Sequence, residues 1–231
     1  MTLKEFQKQA ERTFPSLNSI YHNLDHNNNL LTLGRLYYGN NIETTQPSYG
    51  ILDLVHARIG ILSETDELMD AIAKKDSVGV GEELTDKLWY LCNDLNTMLK
   101  AGYIDHVDFD TLISTKFDGT LKATDSPLQG STLNYWFNAM IYNESKLLDQ
   151  VKKLYAYNKP MNKDVYLKRV EYLIGAINNI AVSTKVDLNE YMDKVIIKLR
   201  NRYPEKFTSE AAINRDVEAE RKILEDETAK N

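Results

Sequence analysis

Two observations predict an all-α protein built as a helical bundle. Apolar residues recur at three- and four-residue intervals along nearly the whole chain, the period of one helix face. Alternating runs of Val, Ile and Thr, which would mark strands, are missing. The chain has 231 residues, 42% hydrophobic and 27% charged, with five prolines. That is enough material to bury a core without disulfide or metal staples, and it excludes an unfolded chain.

The elements follow in order. Residues 2–13 alternate charged and apolar residues at helical spacing, giving a first helix. Residues 22–49 are rich in Asn, Tyr and Thr without a sustained period, so residues 1–49 read as an N-terminal helix and a long loop. Helices are then predicted at 50–75, 80–101 and 107–117, making a first block of 50–117. The run DGTLKATDSPLQG, 118–130, has linker punctuation. Helices at 131–157, 162–183 and 187–201 form a second block, 131–207, and a helix at 209–228 makes a tail over 208–231.

The two blocks match under a constant shift of 79 positions. It carries Leu68 onto Leu147, Asp70 onto Asp149, Leu88 onto Leu167, Leu95 onto Ile174 and Val107-Asp108 onto Val186-Asp187. Two tandem repeats forming an intramolecular pseudo-dimer are the expectation.

A net charge of −6 argues against a surface built to neutralise a nucleic-acid polymer. Cys92 is the single cysteine, so no intramolecular disulfide can form, and it reads as a small buried hydrophobe. No apolar run approaches the ~18–20 residues of a membrane span. The expectation is a cytoplasmic protein with no membrane partner.

The helix at 50–75 has an apolar stripe of Leu52, Val55, Ile59, Leu62, Met69 and Ile72, which needs a partner helix. On another side His56, Gly60, Glu64, Glu67 and Ala71 run in one line along the axis, flanked by Ala57, Ile61 and Leu68. Two carboxylates one turn apart repel each other unless a cation lies between them. The next helix has Glu83, Asp86, Tyr90 and Asp94 on one face, and an antiparallel pair would bring four carboxylates together. Such a set suits Mg²⁺, which takes oxygen ligands while also binding substrate phosphates; spacing alone equally allows four surface acids.

The run GILSETDELMDAIAKK (60–75) followed by GEELTDKLWYL (81–91) resembles the ExxE and ExxD motifs of the MazG-like all-α nucleoside triphosphate pyrophosphohydrolases. KLRNRYPEKF (198–207) and AAINRDVEAERKILE (211–225) resemble the KLxxRYP segment and RDxxxER tail of a subset of that superfamily, often phage-encoded. The resemblance implies an all-α NTP pyrophosphatase bundle in which Glu64, Glu67, Glu83 and Asp86 hold Mg²⁺, with Mn²⁺ as an alternative, and position the attacking water. The implied substrate is a nucleoside or deoxynucleoside triphosphate, cleaved to the monophosphate and pyrophosphate, in a host cytoplasm if the source is a phage. One departure is Val195, where the subset carries an Asn three residues before Lys198.

Under the 79-residue shift Glu64, Glu67, Glu83 and Asp86 fall on Asn143, Lys146, Asn162 and Val165, so the second block loses every proposed ligand. Carboxylates from the first half and phosphate-facing cations, Lys198 and Arg202, from the second are therefore expected to share one site. Further substrate-binding candidates are Lys87, at a phosphate or else a surface lysine, Trp89, on a base or in the core, and His56, on substrate or else packed and hydrogen-bonded. Glu144 is a candidate remnant ligand. Trp136 and Phe137 are expected to fill the pocket of the second block, and Tyr155, Tyr157, Tyr166 and Tyr172 to pack an interface. Two other classes stay open beside the enzyme: a module that binds a nucleotide or nucleotide-derived signal without efficient turnover, and a helical interaction protein with surface acids. Homo-oligomerisation is left open.

Overall fold

Most helix starts in this chain are set by a side chain placed just outside an apolar run. The computed structural model describes residues 1–14, 49–108, 112, 132–157 and 159–226. Of the predicted loop 22–49 all but Tyr49, which begins the next helix, lies outside the described residues, as do the linker 118–130 and most of the predicted helix 107–117. Helix α1, Leu3–Thr13, begins in a capping box between Thr2 and Glu5. Helix α2 is Tyr49–Lys74. Lys75 then turns the chain with φ 56°, and Asp76 accepts from the Gly79 amide to start α3, Ser77–Lys100. Helix α4 is Leu133–Tyr157, and Asn162 caps α5, Lys163–Thr184. Asp187 caps α6, Leu188–Arg202. The predicted helix 209–228 is two helices, α7 (Ser209–Ile213) and α8 (Val217–Glu225), because Asp216 prefers to cap Ala219 N–H rather than continue α7. The described residues contain no strand, so the fold is all-α.

Helices α2 and α3 form one antiparallel hairpin and α4 and α5 a second; α2 packs on α4 and α3 on α5. Helix α3 is the central element, also touching α1, α6 and α8, and it is buried along nearly its whole length. Thr65 donates to Glu144 at 3.1 Å, a contact between positions 79 apart, on either side of the junction between hairpins. The single shift does not carry the turns, however. It takes the α3 cap Asp76 to Tyr155, inside α4, whereas α5 is capped by Asn162.

The predicted stripe of α2 is corrected by the structure: Ile59 and Met69 are each 53% exposed and Leu62 37%. The buried face is Leu54, Ala57, Arg58, Ile61, Thr65, Leu68 and Ala71. Its small residues let two neighbours, α3 and α4, approach, whereas the larger stripe offers no such fit.

Two buried ion-pair networks tie the hairpins together. Arg58 donates to Asp94 at 2.6 Å and to the Leu147 carbonyl at 2.6 Å, and the Tyr166 hydroxyl donates to Asp94 at 2.7 Å. Lys87 donates to Glu144 at 2.9 Å, to Thr65 at 2.6 Å and to the Ile61 carbonyl at 2.5 Å. Tyr166 is thus a core residue, while Tyr155, Tyr157 and Tyr172 are exposed on this chain. Trp136 and Phe137 are partly buried against the core, and Cys92 is buried and free, its thiol pushed up by desolvation.

Candidate active site

The α2–α3 hairpin places acids from two helices at one cleft because its tight turn holds the helices antiparallel and in fixed register. Glu64 of α2 and Glu83 and Asp86 of α3 each offer a carboxylate oxygen, all within 4.8 Å of one another. They lie in a cleft of about 470 Å³. Glu67 lines the same cleft but stands outside this convergent trio. Burial raises Glu64 to about 7, helped by the Asp86 charge, and raises Glu83 to about 9, helped by Asp86 and Glu82. Burial and the crowding of like charges outweigh the nearby cations at these two groups. Three crowded oxygen donors held this way fit a hard divalent cation, whose charge would offset both the burial and the repulsion.

The opposite wall comes from α6 and the C-terminal helices. Lys198 is buried and donates to Glu82 and Asp86 at 2.9 Å each. Desolvation works against its charge, yet the two carboxylates raise it above the ordinary lysine range. Arg202 grips Glu220 through Nε at 2.6 Å and Nη2 at 2.5 Å. Arg221 makes two 2.8 Å bonds to Asp76, fastening α8 to the α2–α3 turn and lowering the Asp76 carboxyl to about 2. Arg202, Arg215 and Arg221 all line the cleft. The structure thus brings the predicted acids and the predicted cations of the distant α6 to one place.

Aromatic side chains close the remaining side. The line His56–Gly60–Glu64 is covered by Tyr90, whose ring a Cβ on Gly60 would strike. His56 is packed, its ring stacked on Phe14 with centroids 4.9 Å apart, and its Nδ1 is buried without a hydrogen bond. Desolvation lowers its pKa, which favours the neutral ring. Trp89 packs edge-on to Tyr90 at 4.9 Å and donates to Thr13 at 3.1 Å, so it is mostly core, with an edge on the cleft.

Two expectations are corrected. Lys87 is neither at a phosphate nor on the surface: it is fully buried and turned to Glu144, because only the interior supplies three oxygens to its ammonium. Burial pulls both partners toward their neutral forms and their mutual contact opposes it. Glu144 is accordingly the partner of Lys87 and not a remnant ligand. Sequence reasoning missed Glu82 and Glu220. Glu82 was legible, since it stands four residues before Asp86 on the same helix face; Glu220 lay within the quoted tail, but nothing in spacing linked it to Arg202.

No curated protein and no solved structure matches the chain. Residues 56–119, the stretch that carries all four acids of the cleft named from sequence, match the family of the MazG nucleotide pyrophosphohydrolase domain.

Proposed function

We propose that this protein is a Mg²⁺-dependent pyrophosphohydrolase that cleaves a nucleoside or deoxynucleoside triphosphate to the monophosphate and pyrophosphate. The observation that carries the reading is the convergence of Glu64, Glu83 and Asp86 in a cleft whose other walls are cationic and aromatic. Those three would hold the metal, with Glu67 and Glu82 at the margin of the same cleft. A bound divalent cation supplies neutralisation of phosphate charge and a more acidic water. Lys198 and Arg202 pair the polyphosphate, exchanging their present carboxylate partners for phosphate oxygens. His56, Trp89 and Tyr90 offer apolar ring surface for a base. The reading divides the labour between a first repeat, 50–117, bearing acids, and a second, 131–207, whose end bears cations. The pairing of α2 with α4 and α3 with α5 supports that pseudo-dimer.

The test is incubation of the purified chain with Mg²⁺ and a nucleotide panel, followed by separation of products. Monophosphate and pyrophosphate are expected; diphosphate and orthophosphate as the only products would contradict the assignment, and retained binding without turnover would favour the binding module. Glu83→Gln and Asp86→Asn should each lower kcat/KM by about a hundredfold or more, consistent with loss of an oriented charge in the transition state. They should differ without metal. Glu83→Gln removes a carboxyl whose ionisation is opposed first by burial and then by its acidic neighbours, and raises the melting temperature, whereas Asp86→Asn also removes a partner of buried Lys198 and does not.

A further inference from the structure

Helix α8 lends Val217, Glu220 and Arg221 to the lining of the acidic cleft, and it is held there largely by charge. Its buried residues are Glu220 and Leu224, whereas Val217 is 58% exposed. The tail segment RDVEAER, 215–221, supplies most of the polar hold. Asp216 caps the helix and Arg221 fastens it to Asp76 on the α2–α3 turn. At the other end Lys194 of α6 donates to the Leu224 carbonyl at 2.9 Å. A carboxylate buried on an element with so little apolar packing needs a cation, and for Glu220 that cation is Arg202.

Nε and Nη2 share one edge of the Arg202 guanidinium, the edge that takes a carboxylate or a phosphate in two parallel bonds. Glu220 fills it, at 2.6 and 2.5 Å. One face of the same guanidinium lies over the Tyr203 ring, 5.7 Å from its centroid. A phosphate brought to Arg202 therefore meets an occupied edge, and beside it the negative charge of Glu220. Lys198 is in a different position, since its two carboxylates, Glu82 and Asp86, belong to the central helix α3. Of the three acids on these two cations, the one on the lightly packed α8 is the one free to yield.

We propose that Glu220 is an internal competitor for the phosphate chain: its carboxylate holds the Nε–Nη2 edge of Arg202 until a polyphosphate enters the cleft and takes that edge in its place. Resting on the reading of the cleft as a polyphosphate site, this makes Glu220 the residue that sets how tightly the chain is held. Glu220 acts through Arg202 and not on the reacting atoms, so it is a positioning residue whose removal strengthens binding.

The full-length protein is titrated calorimetrically with inorganic tripolyphosphate in the presence of Mg²⁺. Glu220→Gln, which removes the charge and one of the two acceptors, should tighten binding about threefold to tenfold. Glu218→Gln, at an exposed acid of the same helix, should not. Arg202→Gln should weaken binding about tenfold or more, and adding Glu220→Gln to it should change nothing further. Where a nucleotide is cleaved, Glu220→Gln should lower KM at unchanged kcat, since it alters ground-state and transition-state binding alike. Glu220→Asp keeps the charge and draws it back by one methylene; its smaller tightening is the measurement to use if the amide variant unfolds. Unchanged, weakened or absent binding in a folded Glu220→Gln would overturn the competition, and so would equal tightening in the Arg202→Gln background. Tripolyphosphate binding that responds as expected in a protein that cleaves no nucleotide would keep the competition and remove the hydrolytic reading. Cleavage with a KM indifferent to Glu220→Gln would do the reverse.

Discussion

Asp53 shows how one buried atom imposes a pH dependence. Its Oδ1 is buried without a partner, and desolvation raises its pKa from 3.8 to about 6, partly opposed by Lys100. A raised carboxyl pKa means that the folded state binds the proton more tightly than the unfolded one. Stability at this position is therefore fullest below the unfolded pKa and falls as pH rises through about 4 to 6. Asp53→Asn should change the melting temperature little at pH 4 and raise it at pH 7. The gain should be on the order of 1 kcal/mol, because the carboxyl is only half-buried and water screens it. An equal gain at both pH values would show that the group does not titrate in that window. At the same scale the acids of the cleft were readable as residues: Glu64, Glu83 and Asp86 follow from motif and face, since an i, i+3 pair must share one side of a helix. The fate of Lys87 was not. Its neighbour in sequence faces the cleft while its own side chain turns inward, and a rotation of about 100° per residue gives no warning of which of two faces is buried.

Helix α2 carries the information of its element in an inconspicuous residue. Gly60 interrupts a long helix, and replacing such a glycine by Ala ordinarily stabilises by about 0.5–1 kcal/mol. Here the added Cβ would strike the Tyr90 ring. Gly60→Ala should therefore destabilise, by roughly 1–3 kcal/mol, read as a fall in the urea midpoint at unchanged slope. A stabilised variant would mean that Tyr90 has room to move off α2. The same helix shows why an apolar stripe is an incomplete guide. With apolar residues around most of its circumference, α2 admits more than one buried face, and the choice falls to the small residues that admit α3 and α4. By contrast the starts of α1, α3, α5, α6 and α7 were close to legible, because each has a Thr, Asn or Asp cap whose side chain satisfies an otherwise orphaned amide. The break between α7 and α8 is a case where the apolar period outweighed the capping signal of Asp216.

Across the whole molecule, the two hairpins are joined by buried charge. Lys87 and Glu144 are both fully buried, one on α3 and the other on α4. Removing one partner strands the other in a low-dielectric interior, so Lys87→Met or Glu144→Leu alone should cost about 3–5 kcal/mol. The double variant Lys87→Met/Glu144→Leu should recover much of that loss, and chemical denaturation of all four proteins measures the coupling directly. Additive losses would show that the two charges do not stabilise each other.

The sequence by itself determined the helical class, most helix boundaries and the acids of the cleft, since helix period, capping and i, i+3 spacing are local properties of the chain. Tertiary structure alone decided which face of α2 is buried, that Lys198 of α6 reaches Glu82 and Asp86, and that Glu220 of α8 grips Arg202. Those outcomes depend on how four helices pack and on which buried charges find partners, and both are settled by contacts between residues far apart in the chain.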